Sequence, residues 1–205
     1  MIVMSVEEDV NEIQWKLGWN PKITIIAVTV LFTIVGAAID AVGTFFVLGI
    51  LAGGAVYVWG TRTINDNYDS FLSRFISESE RKGARGIEVD SANTYSLTYG
   101  MGDSPPLVEP SKTYKTNTLV VTDASVNVNK GAEFDMKSRE SVAGGSNREL
   151  YYDQISAVES HQDGRRSVLE IRTSGGDTIG VGSTNTDTVD AAMSDVRKRV
   201  REAKR

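Results

Sequence analysis

The chain has 205 residues, no cysteine, a single histidine (His161) and a formal charge of -5, with an isoelectric point near 5.0. These values exclude disulfides, thiolate metal centres and paired-histidine metal sites, and would route any Ser-His-Asp chemistry through His161. The charge is uneven: residues 86–196 hold 17 Asp/Glu against 9 Lys/Arg, while the stretch RKRVREAKR, residues 197–205, holds six Lys/Arg and one Glu.

Residues 1–22 form a first segment. SVEEDVNEIQWKLGW has the spacing of a short amphipathic helix, with Ser5 and Glu8 as a capping box and Val6, Val10, Ile13 and Leu17 on one face. Trp15 and Trp19 then fall where indoles favour a bilayer surface, so this helix is expected to be an interfacial anchor. Its alternative use is as a partner-binding helix.

Residues 23–60 form a long apolar run whose one charged side chain is Asp40. One straight helix of that length would reach about 57 Å, far more than the roughly 30 Å hydrocarbon layer. Dividing the run at Asp40 gives two stretches that each suffice for one crossing. An ionised Asp inside a span costs about 2.5–3.5 kcal/mol, whereas at a hairpin tip it reaches the head groups. Asp40 is therefore expected to be the turn of a transmembrane hairpin, with Gly36 and Gly43 relaxing the backbone beside it. Gly49 and Gly53 form a G-x-x-x-G pair, the candidate helix–helix contact, which serves either the first span or a second copy. Lys16 and Lys22 precede the hairpin, and Arg62, Arg74, Arg81, Lys82 and Arg85 follow it. The positive-inside rule then gives a multi-pass cell-membrane protein with both termini cytoplasmic.

Residues 61–86 continue at helical spacing, with Ile64, Tyr68, Phe71, Leu72, Phe75 and Ile76 on one stripe and a break at Gly83–Gly86. The stripe requires a cover: lipid, the N-terminal helix or another copy.

Residues 87–205 change to period two. Strands are expected at 94–100, 118–122, 125–131, 132–138, 148–160, 167–174 and 177–183. NKGA, HQDGRR and SGGD are read as turns, and VEPSKTYKTN and ESVAGGSN as loops. A C-terminal amphipathic helix follows, capped by Thr184 and Asp187, with Val189, Met193, Val196 and Val200 inward. The fold class is a transmembrane α-helical hairpin plus a mainly-β domain of about seven strands closed by that helix.

Three stretches carry a resemblance: TLVVTDASVNVNKG, RELYYDQISAVES, and SVLEIRTSGGDTIGVGSTNTDTVDAAMSDVRKRV. Together, over about residues 117–201, they are similar to the prokaryotic pleckstrin-homology-like domains, many of which follow a two-span hairpin. The resemblance implies a non-catalytic binding domain. In that family phosphoinositide sites use a basic first hairpin; here the matching VTDASVNVNKG offers Lys130 alone, which argues against such a site. The remaining basic candidates for lipid or anion contact are Arg165 and Arg166 in a turn and Arg197, Lys198, Arg199 and Arg201 in the final helix. No aromatic residues interleave with the tail charges, so nucleic acid is not an expected partner. GGSN and SGGD lack the residues of a phosphate loop, and the aspartates lack EF-hand spacing.

The sequence is therefore read as a membrane-anchored binding or scaffold module, not an enzyme, with no cofactor or metal. Its partners would be the membrane, anionic lipid, and a protein partner or itself. The alternative is a self-assembling structural membrane protein, motivated by Gly49, Gly53 and the uncovered stripe.

Overall fold

The computed structural model describes residues 10–85, 87, 92–142, 144 and 146–205. The proposed Ser5–Glu8 capping box and Val6 lie outside them. Helix α1 (Glu12–Trp19) instead starts at Asn11, whose side chain accepts from Ile13 N at 2.9 Å. Asn20 then turns the chain sharply, and Pro21 opens α2 (Pro21–Ala38), where its missing N–H costs nothing. The Thr24 hydroxyl donates back to Leu17 O at 2.9 Å and holds the corner.

Helices α2 and α3 (Val42–Gly83) form a hairpin, and each is long and apolar enough to cross a membrane. Ala41 N donates to Gly36 O at 2.8 Å and Asp40 stands at φ 55°, the left-handed position of a Schellman ending. A short polar side chain tolerates this conformation better than a branched apolar one. The turn thus rests on Asp40 itself. Gly36 serves a different end from the one expected, since a Cβ there would fall 2.5 Å from Phe45 Cβ, while Gly43 faces open space.

Helix α3 does not stop at the end of the apolar run. It continues unbroken for 42 residues, about 63 Å at 1.5 Å per residue. Its second half carries the expected stripe, with Ile64, Phe71 and Phe75 buried.

The β domain has two antiparallel sheets. The first contains β1 (Asn93–Met101), β2 (Thr113–Val121), β3 (Ser125–Asp135), β4 (Glu140–Val142) and β5 (Ser146–Tyr151), in the order β1-β2-β3-β4 with β5 also on β3. The second holds β6 (Ile155–Asp163), β7 (Arg166–Thr173) and β8 (Thr178–Ser183) in that order. Helix α4 (Thr186–Ala203) closes the core with Val189, Ala192 and Val196, against Leu97, Leu119, Leu169 and Ile171 among others.

The expected strands differ from the observed ones in five places. The stretch ESVAGGSN, read as a loop, holds β4 and the first residues of β5. Strand β2 begins at Thr113, inside the stretch read as a loop. The supposed NKGA turn is a bulge in one continuous β3. Gly131 takes φ 86° there, its N–H donates to Asn117 Oδ1 at 3.1 Å, and the β2–β3 register shifts between Thr116 and Thr118. The long strand 148–160 is broken by a 3-10 turn, Tyr152–Gln154, which carries the chain from one sheet to the other. The buried Tyr152 hydroxyl fixes that crossing, 2.6 Å from Thr122 O and 2.9 Å from Ser125 O. HQDGRR narrows to a turn at Gly164–Arg165, with His161 on β6. The cap of α4 is Asn185, accepting from Thr188 N at 3.2 Å, in place of Thr184 and Asp187.

Candidate functional site

Three surfaces of the molecule bear on function: the outer face of the hairpin, the junction beneath it and a groove on the β domain.

The hairpin presents its apolar side chains outward. Ile26, Leu31, Ile34, Val47, Leu51 and Trp59 each remain more than half exposed. The inner face is made of close backbone contact. A Cβ on Gly49 would fall 2.8 Å from Thr29 Cα, and one on Gly53 2.9 Å from Ile25 Cα. The G-x-x-x-G pair therefore packs α3 onto α2 within the chain.

The junction is where expectation and structure part most clearly. Trp15 and Trp19 are buried within the chain, and Ile13, expected on the apolar face, is 68% exposed. The covered face of α1 is Trp15, Gly18 and Trp19. Trp15 Nε1 donates to Met136 O at 3.0 Å, and its ring meets Phe71 edge-on at 5.0 Å between centroids. Phe75 stacks on Phe134 at 5.3 Å. Arg139, held at φ 60° in the β3–β4 turn, places its guanidinium 5.7 Å from both the Trp15 and Phe71 ring centroids. The stripe on α3 is therefore covered by α1 and by the sheet of its own domain. Both features that suggested self-assembly are engaged within the chain.

The groove, about 460 Å³, lies between the two sheets. Tyr99, Lys115, Asn117 and Lys130 come from β1–β3; His161, Asp163, Arg166, Val168 and Glu170 come from β6 and β7. Gly180 and Gly182 of β8 leave one wall bare of side chains. Most of its charges are neutralised locally. Lys115 pairs with Glu133 at 2.5 Å, and that hydrogen bond raises its pKa. Arg166 pairs with Asp163 while lying 4.9 Å over the Tyr99 ring. Glu170 pairs with Arg172 at 3.3 Å. Among the described residues Lys130 has no ion-pair partner, and burial, then the neighbouring Arg148, lowers its pKa. The Gly131 bulge sets the direction of β3 beside it. Lys130 is thus the groove's one ammonium without an ion-pair partner among the described residues.

The other basic candidates are dispersed. Arg165 is exposed at the turn. Arg197 Nε donates to Val158 O at 2.9 Å, and Lys204 Nζ to Ile155 O at 2.9 Å, so both clamp α4 to β6. Arg199 pairs with Asp123 at 2.7 Å. Lys198 and Arg201 face solvent. The structure therefore brings only Arg166 of these into the groove. Lys115, His161 and Glu170 were not among the sequence candidates; they lie on separate strands and share no local motif. Among the described residues no cluster of three His, Asp or Glu could hold a metal ion.

Comparison with known proteins gives little to add. No family model matches the chain, and no curated protein matches it. Among solved structures it is similar to the C-terminal domain of an unknown protein from Leishmania infantum. That likeness has 14% identity, covers 59% of this chain and 97% of that one, and has a TM-score of 0.37.

Proposed function

We propose that the chain is a membrane-anchored, non-catalytic binding module. The α2–α3 hairpin spans the cytoplasmic membrane with Asp40 outside, and a pleckstrin-homology-like domain stands on its inner face. The observation that carries this reading is the contrast between the two halves of α3. Up to Trp59 its outward apolar side chains are bare, whereas from Ile64 onward its stripe is covered. Large exposed apolar surface on one end of an otherwise well-covered chain is what a lipid environment stabilises. The Lys/Arg bias around the hairpin supports the orientation. The sheet order, the 3-10 crossing and the closing helix support the pleckstrin-homology resemblance. The groove, with the Lys130 ammonium unpaired among the described residues and a bare glycine wall, suits an extended acidic segment of a protein partner.

Single cysteines test the placement cleanly in a chain that has none of its own. Asp40→Cys and the exposed Ser194→Cys would be labelled in intact cells with a membrane-impermeant thiol reagent. Reaction at position 40 alone is expected. Reaction at position 194 would put the domain outside and overturn the orientation.

A further inference from the structure

The loop between β1 and β2, residues 102–112, is tied at its tip to the base of the hairpin and at its end to the sheet, where Met136 N donates to Lys112 O at 2.8 Å. The Tyr57 hydroxyl donates to Pro106 O. Asn65 makes a reciprocal pair, its Nδ2 donating to Leu107 O at 2.9 Å and its Oδ1 accepting from Glu109 N at 3.0 Å. The Ser104 hydroxyl donates to Pro110 O and closes the loop on itself. Val108 turns inward to join Trp15, Phe71 and Met136. Its neighbour Leu107 turns outward, 63% exposed, at φ 67°. A leucine in the left-handed region costs about 1–2 kcal/mol, and here the three bonds to α3 hold it there.

Two anchors set the height of this tip. Tyr57 stands three residues inside the end of the apolar run, about 4.5 Å along the helix. Pro105 and Pro106 line a shallow apolar cleft of about 390 Å³ with Trp19, Pro21, Lys22 and Ile23, at the start of α2. Leu107, like Ile23 and Trp59, is more than half exposed.

We propose that the β1–β2 loop is a third membrane-contact element, seating Leu107 at the boundary between head groups and acyl chains, with Lys22 beside the cleft to meet a lipid phosphate. This rests on the membrane reading of the hairpin. The occupant is phospholipid because the cleft sits where both anchors meet the end of the apolar run. Two prolines present no N–H to leave unpaired there. One lysine among apolar walls matches a phosphate above an acyl chain.

Full-length protein would be reconstituted in vesicles of mixed zwitterionic and anionic phospholipid, with an environment-sensitive fluorophore on Leu107→Cys, Leu51→Cys or Gly175→Cys. Quenching by a spin label on the upper acyl chain would be compared with quenching by a water-soluble chelate. The expected result is a blue-shifted emission at position 107, quenched more by the lipid label, as at position 51, while position 175 is quenched from water. Quenching of position 107 from water alone, with position 51 still lipid-quenched, overturns the loop contact and leaves the hairpin standing. Quenching of both from water overturns the hairpin reading and the loop contact with it.

Discussion

Trp15 reaches across 121 residues of sequence to donate its indole N–H to Met136 O at 3.0 Å, in the most buried part of the junction. That bond and the ring contact with Phe71 join the N-terminal helix, α3 and the end of β3 into one cluster. Trp15→Ala is expected to lose about 3–5 kcal/mol, as for other buried aromatic truncations. Trp15→Phe keeps most of the apolar contact but strands the Met136 carbonyl, at about 1–3 kcal/mol. Denaturant unfolding of the detergent-solubilised protein would rank the two. A Trp15→Phe variant as stable as the wild type would mean that the hydrogen bond contributes nothing.

Adjacent glycines of α3 should respond in opposite directions. A Cβ on Gly53 meets Ile25 backbone at 2.9 Å, whereas one on Gly54 meets nothing within 4 Å. Gly53→Ala therefore forces α2 and α3 apart. Gly54→Ala gains about 0.5–1 kcal/mol of helix propensity. Thermal unfolding in one detergent should show a lower midpoint for the first and an unchanged or higher one for the second. Cross-linking patterns in the membrane should be the same for both, because the Gly53 face is turned inward. A loss of cross-linked species with Gly53→Ala alone would show that a second copy uses that face.

The alkaline limb of stability should carry a tyrosine signature. Burial, and then the Asp195 carboxylate beside it, pushes Tyr95 up to about 12. Burial likewise raises Tyr152. A phenol with a raised folded pKa binds its proton more tightly folded than unfolded. Its stabilisation is full below the ordinary value near 10 and is lost as pH rises towards the folded value. Denaturant midpoints should thus fall between about pH 10 and 12. Tyr95→Phe should be a little less stable at neutral pH, having lost the 3.1 Å bond to Asp195, and should fall less steeply above pH 10. An unchanged slope would exclude Tyr95 as a source.

Lys130 is the test of the groove. With Lys115, Arg166 and Glu170 already paired, Lys130→Glu reverses the groove charge that no ion pair among the described residues offsets. Short acidic peptides titrated into the full-length protein should shift the backbone amide resonances of Asn117 and Gly131 in the wild type and not in Lys130→Glu. Lys198→Glu, on the solvent face of α4, should behave like the wild type. Equal responses from all three would remove the groove as a binding surface.

The hairpin was legible because one carboxylate in a long apolar run has few places to go. The same physics made Asp40 the left-handed residue of the turn. Strands β7 and β8 and helix α4 followed from clean alternation and a regular stripe. Other elements failed for identifiable reasons. Tyr114, Lys115 and Thr116 alternate within β2, but the Pro and Lys residues around them mimic a loop. Gly131 reads as a turn when seen alone and becomes a bulge only when Asn117 of the neighbouring strand binds its N–H. Trp15 and Trp19 have the spacing that suits a bilayer surface or a protein surface equally; only the third dimension brings Phe71 and Met136 to them. The groove had no local signal, because its lining comes from six strands and its one meaningful property is which charge is left unpaired.

Helix α3 has no joint. The same 42 residues begin at the Asp40 turn and end at Gly83, where a Cβ would strike Thr118 of β2 at 2.7 Å. Its lower half is bolted to the sheet by Phe75 and Phe134, and to α1 where Gly18 and Gly60 meet backbone to backbone. On the proposed membrane placement, the domain is therefore a fixed fitting and not a tethered float. It offers the groove at one height and one bearing. A tilt of the spans in the bilayer would be delivered undamped to whatever the groove holds, and a partner pulling on the groove would be felt as torque at Asp40.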